Sequence, residues 1–170
     1  RLNVLQRFKQ ETQESPKPVL THLQISDSAE TPPPNWDKLL NDLTSTKPGV
    51  DEAKEYEKAV QALFDALFYP WLAFAIPQTR LNDGRKIVDI TYTNVAQDDF
   101  FKWLKDNYPS AFIFVECKNY STDISNPELD QLAGRFGPSK GKVGILVSRK
   151  IANKKLIEQS CRDTANDHRG

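Results

Sequence analysis

The chain has 170 residues, 38% of them hydrophobic, with three Trp and nine Phe, enough to bury one real core with appendages. Its 23 basic and 23 acidic residues cancel, which excludes a global field for polyanions and leaves any nucleic-acid affinity to a local patch. No apolar run reaches the roughly 18 residues of a membrane span, and Cys117 and Cys161, with only His22 and His168 beside them, are too few for a disulfide framework or a zinc cluster.

The chain begins at Arg1, contains no Met and has no signal-peptide pattern, so a cytoplasmic, reducing setting and a trimmed piece of something longer are expected. Residues 1–50 mix short helical fragments, "LNVLQRFKQ" and "WDKLLNDL", with "ESPKP" and "ETPPPNW", whose prolines favour extended linker. They read as an N-terminal arm or the tail of a preceding domain, with the folded domain at 51–170. In "EYEKAVQALFDALF" the positions Tyr56, Ala59, Val60, Leu63, Phe64, Leu67 and Phe68 keep three-four spacing, one broad buried face of a helix that Pro70 closes.

"LAFAIP" and "KIVDITY", on either side of the turn-rich "LNDGR", read as two joined strands. "AQDDFFKWLKDNYP" is helical in pattern, with Phe100, Phe101 and Leu104 at suitable spacing. "FIFVECKNY" carries the third strand. "SNPELDQLAGRFG" gives a short helix with Asn126 as candidate cap, Pro127 at the first helical position and Gly137 just past its end. "KVGILVS" is a fourth strand and "NKKLIEQSCRDTANDH" a closing helix. This order predicts a mixed α/β layered domain.

Chemistry concentrates at the third strand. Alternation places Phe112, Phe114, Glu116 and Lys118 on one face, and Ile113, Val115 and Cys117 on the other. Asp is depleted in strand interiors, yet Asp89 lies between Val88 and Ile90. If the two strands are neighbours, Asp89 and Glu116 bring together two hard oxygen ligands of the kind magnesium requires, with Lys118 beside them to orient a water or offset charge on a phosphate. The plainer readings are an edge-strand ion pair for Glu116 and Lys118 and a strand-end cap for Asp89.

Asp89, followed by Glu116-Cys117-Lys118 at the end of an apolar strand, resembles the PD-(D/E)xK nuclease superfamily over residues from about 52 to 170. Type IV restriction nucleases and Holliday-junction resolvases are members to which it is similar. The resemblance implies a restriction-endonuclease-like fold: a mixed four-stranded sheet flanked by helices in three α/β/α layers. It also implies a Mg2+- or Mn2+-dependent endonuclease that cuts DNA in restriction, defence or DNA processing. Asp89 and Glu116 would hold the metal, with the Cys117 carbonyl as a further ligand, and Lys118 would position or activate the water. Glu57 matches a glutamate that many members carry on the first helix, and would support a second ion or the water network. Gln131 is similar to a glutamine of several members, and would orient Lys118 or substrate. The chain departs from the family's motif at Val88, where the motif has a proline that members often lack. Taken alone, Glu57 also reads as a solvated helix residue, Gln131 as a surface amide and Cys117 as a core residue.

From Arg135 to Lys155 the chain has Arg135, Lys140, Lys142, Arg149, Lys150, Lys154 and Lys155 and no acidic residue. Such a stretch suits a polyanion, and Arg135, Lys140, Lys142, Lys154 and Lys155 are the candidate nucleic-acid contacts. Related nucleases add a strand after the closing helix, so the chain is expected to continue past residue 170. Unless completed, the "VGILV" edge would pair with another chain as a homodimer, and further domains or subunits are expected in the whole protein. The alternative function is a catalytically inactive module of the same fold that binds nucleic acid or a partner subunit.

Overall fold

The computed structural model describes residues 32–81, 86–137 and 141–167, together with His22 and Gln24. By compactness the chain divides into residues 1–33 and 34–170, and the sheet with its flanking helices belongs to the second unit.

Helix α1 (Trp36–Ser45) starts where Asn35 accepts the Lys38 main-chain N–H at 2.9 Å, satisfying one of the donors a helix start leaves open. Its Leu43 packs against the main core. The segment after it is tied down: the Asn119 side chain donates to the Lys47 and Gly49 carbonyls at 2.8 and 3.0 Å, and Gly49 N–H donates to the Asn119 carbonyl. The compact unit therefore begins upstream of residue 51, at Pro34.

Helix α2 (Ala53–Leu67) buries Tyr56 and Val60, with Phe64 and Phe68 packed beside them. Its apolar face is narrower than the spacing predicts: Leu67 is 49% exposed. Strands β1 (Leu72–Leu81) and β2 (Lys86–Asn94) pair antiparallel as expected. Helix α3 (Asp99–Asn107) buries Phe101 and Leu104, whereas Phe100 turns outward and stacks on Trp103. Strand β3 (Phe112–Lys118) is followed by helix α4 (Asn126–Ala133), strand β4 (Gly144–Ser148) and helix α5 (Lys154–Asp167).

Helix α4 is capped one residue earlier than the sequence suggests. The Glu128 carboxylate accepts both the N–H and the hydroxyl of Ser125 at 2.9 Å, and the helix closes at Gly134 rather than Gly137.

The sheet order is β1-β2-β3-β4, with β2 and β3 antiparallel and β3 and β4 parallel. The parallel pair requires a crossover, which α4 supplies. One face of the sheet holds Ile90, Tyr92, Ile113, Val115 and Cys117 against α2 and α3; the other holds Val88 and Phe114 against Leu132 of α4. Helices thus cover both faces of a mixed four-stranded sheet, in the α/β arrangement expected, and Glu116 and Lys118 lie on the α4 side. Among the described residues no helix is long and apolar enough to cross a membrane.

Candidate active site

Alternation along β2 should put Val88 and Ile90 on the same face, yet they belong to different core clusters. The break falls at Asp89. Its neighbour across β1 is Gln78, between the paired positions Pro77–Ile90 and Thr79–Val88, and Gln78 has φ +50°, left-handed backbone that L side chains rarely adopt. The β2–β3 ladder runs only from Ile90–Val115 to Thr93–Phe112. Beyond its end the Asp89 side chain substitutes for it, Oδ2 accepting the Cys117 main-chain N–H at 2.7 Å. One kink thus aims Asp89 at the strand end that carries Glu116 and Lys118.

The Glu116 carboxylate is almost fully buried, at 1% exposure. Arg135, just past α4, brings Nε to 3.1 Å from its Oε1, and Lys118 Nζ stands 3.6 Å from its Oε2. Lys118 Nζ in turn donates to Gln131 Oε1 at 3.0 Å. On the opposite face, Glu57 of α2 accepts a 2.8 Å hydrogen bond from Gln78 Nε2.

These carboxylates sense one another. Burial raises the Glu116 carboxyl above its ordinary value, the Asp89 charge raises it further, and Arg135 and Lys118 pull it back. Glu57 is raised by burial and then by Asp89, against the Gln78 hydrogen bond, with Glu116 adding to the rise and Lys54 opposing it. Cys117 is buried among core side chains, and burial followed by the three carboxylates raises its thiol, which disfavours the thiolate a nucleophile needs.

The structure therefore brings together Asp89, Glu116, Lys118, Gln131 and the Cys117 main chain, with Glu57 within electrostatic reach. Among the described residues no group of three or more His, Cys, Asp or Glu side chains is placed to hold a metal ion. Magnesium does not need one: it takes one or two carboxylates and completes its shell with water and phosphate oxygens. Asp89 and Glu116 fit that donor set, and the repulsion that raises Glu116 is what a divalent cation would relieve.

The basic stretch does not form one patch. Arg135 turns inward to Glu116, and Arg149 is used internally, donating to Asn119 Oδ1 at 2.8 Å and lying over the Tyr56 ring. Lys142 precedes β4, and its N–H donates to the Pro109 carbonyl, so it lies at the end of the sheet where β3 starts. Lys150, Lys154 and Lys155 follow β4 and are exposed at the end where β3 finishes, Lys154 with Glu158 at 3.8 Å. Lys140 lies outside the described residues.

Sequence reasoning missed Gln78, Asn119 and the inward turn of Arg135. Only Asn119 left a signal, as a polar residue directly after the charged strand end. No protein-family model, no curated protein and no solved structure matches this chain.

Proposed function

We propose that residues 34–170 form a metal-dependent nuclease domain that hydrolyses phosphodiester bonds, with DNA as the substrate class the sequence resemblance implies. The single observation that supports this reading best is the convergence at the end of β3. Asp89 is held by the Cys117 N–H at 2.7 Å, and Lys118 is held 3.0 Å from Gln131 and 3.6 Å from Glu116.

Asp89 and Glu116 would hold a Mg2+ or Mn2+ ion, which when bound supplies electrophilic stabilisation of the phosphate under attack. The chain's own groups do the rest. The Cys117 amide fixes Asp89, so its free oxygen points in one direction. Gln131 accepts from Lys118 and so holds the ammonium where it can orient a water or neutralise charge that develops on the phosphate oxygens. Gln78 fixes Glu57, whose raised affinity for a proton suits a group that takes part in a water network.

One observation favours the rival reading, a module of this fold without turnover: Glu116 already has Arg135 and Lys118 as partners and needs no metal for neutrality. Incubation of plasmid and single-stranded DNA with Mg2+ or Mn2+ separates the two. A nuclease cuts, and Lys118→Ala does not; a binding module retards DNA in a gel and leaves it intact.

A further inference from the structure

Arg135 reaches back over the end of β3, with its side chain 10% exposed and that of Glu116 2% exposed. A buried carboxylate between two cations is costly to expose and costly to leave half paired. The contact runs through Nε, so the planar fork of the guanidinium, the part shaped for two oxygens of one anion, is not engaged on Glu116. Among the described residues Glu116 is the only hydrogen-bond partner of the Arg135 side chain, whereas Lys118 is also held by Gln131.

Charge balance sets the consequence. Asp89 and Glu116, with Glu57 in electrostatic reach, stand against Lys118 and Arg135, three negative groups against two positive ones, so most of the negative charge is already offset before any cation enters. A divalent cation would turn the balance to a surplus of positive charge at one buried point. The surplus is reduced when the less tethered cation gives up its carboxylate and meets a new anion.

We infer that Arg135 is an exchangeable counter-ion: it neutralises Glu116, yields that carboxylate to the incoming cation, and turns its guanidinium fork to the non-bridging oxygens of the scissile phosphodiester. The inference rests on the nuclease reading and makes Arg135 a further catalytic residue of that site instead of a contact on its outer surface. It also makes cation and substrate bind cooperatively, because each supplies the charge the other lacks.

Calorimetric titration of Mn2+ into the full chain, without nucleic acid, tests the first half. Arg135→Gln is expected to bind Mn2+ about tenfold more tightly than wild type, the size of effect one charge has on an adjacent ionic equilibrium, and Arg135→Lys to bind like wild type. The second half is read in the Lys118→Ala background, which is expected to bind without cutting. There, with Mg2+ present, both Arg135 variants should hold a short duplex oligonucleotide about tenfold more weakly, since neither keeps the fork. Equal or weaker Mn2+ binding by folded Arg135→Gln overturns the exchange. If that variant does not fold, the Arg135 Nε–H resonance of wild type decides: it should move when Mg2+ and a short duplex oligonucleotide are added, and an unmoved resonance overturns the exchange. A wild type that takes up no Mn2+ overturns the metal-site reading and the exchange with it, a result seen before any variant is used.

Discussion

Asp89 Oδ2 takes the main-chain N–H of Cys117 at 2.7 Å, one position past the end of the regular β2–β3 ladder, so a catalytic candidate doubles as the last rung of the sheet. The two roles separate by substitution. Asp89→Asn keeps an acceptor for the N–H and removes the charge that repels Glu116 and Glu57, so it should be as stable as wild type or more so. Asp89→Ala leaves the N–H without a partner, which costs about 1–3 kcal/mol, partly offset by the lost repulsion. Both should lose metal-dependent cleavage. Urea unfolding of the two variants checks this, and an Asp89→Asn protein less stable than Asp89→Ala would contradict it.

The raised carboxyls give stability a direction in pH. Between the ordinary value of 4.5 and their raised folded values, Glu57 and Glu116 bind more protons in the native than in the unfolded chain, so stability falls as pH rises through that window. Asp123 and Glu128 act in the opposite sense. Main-chain hydrogen bonds from Ala152 and Asn153 hold Asp123 low; for Glu128 the modest cost of burial is outweighed by its hydrogen bonds with Ser125, so their stabilisation is lost only as pH falls through those lowered values. Without divalent cations the protein should be most stable on the acid side of neutrality. Glu57→Gln should flatten the decline that sets in above the ordinary carboxylate value. Urea midpoints across that range are the measurement, and a wild-type curve that rises toward neutrality would refute the assignment.

Gln131 should matter for rate and little for binding. Gln131→Ala frees the Lys118 ammonium from a 3.0 Å hydrogen bond, and a misplaced catalytic group costs about 10- to 100-fold in turnover. Single-turnover cleavage beside oligonucleotide affinity reads both quantities. A variant that loses affinity and keeps its rate would assign Gln131 to substrate contact.

Lys142 and Lys150 sit at opposite ends of β4, which makes the salt dependence of DNA binding informative about where the strand lies. Lys150→Gln together with Lys155→Gln should reduce the slope of log affinity against log salt by about 2, while Lys142→Gln leaves it unchanged. A larger effect from Lys142 would put the nucleic acid at the other end of the sheet.

Helix α4 packs so closely on β4 that a Cβ at Gly144 would lie 2.7 Å from Leu132 Cδ1 and 3.1 Å from the Phe114 carbonyl oxygen. Gly144→Ala should cost about 1–3 kcal/mol of stability by overpacking, and it should loosen the helix that carries Gln131. Thermal unfolding checks this, and an unchanged Tm would show that Leu132 has room to move.

Much of the framework was legible because it rests on periodicity. The alternation in "FIFVECK" separates Phe114 from Ile113 and Val115 as the two faces of the sheet do, and the apolar spacing of α2 marks Tyr56 and Val60. The start of the compact unit was not legible. Residues 34–50 read as part of an arm, and what ties them down is Leu43 on the core and the Asn119 side chain on the Lys47 and Gly49 carbonyls, about 70 residues away in sequence. Nor was the turn at Asp89, since a left-handed Gln78 carries no mark in composition. The basic stretch misled for a related reason: counted along the chain it is one run, but a strand passes through its middle and sends its members to opposite ends of the sheet.

The central claim is that the carboxylates and lysine at the end of β3 cut phosphodiester bonds with the help of a divalent cation. Purified wild type and Lys118→Ala, incubated with plasmid and single-stranded DNA in Mg2+ or Mn2+ and again in excess chelator, test it most directly. Wild type should cleave with either metal and not in chelator, and a folded Lys118→Ala should not cleave. Intact DNA in every wild-type reaction, or equal cleavage by the variant, would contradict it.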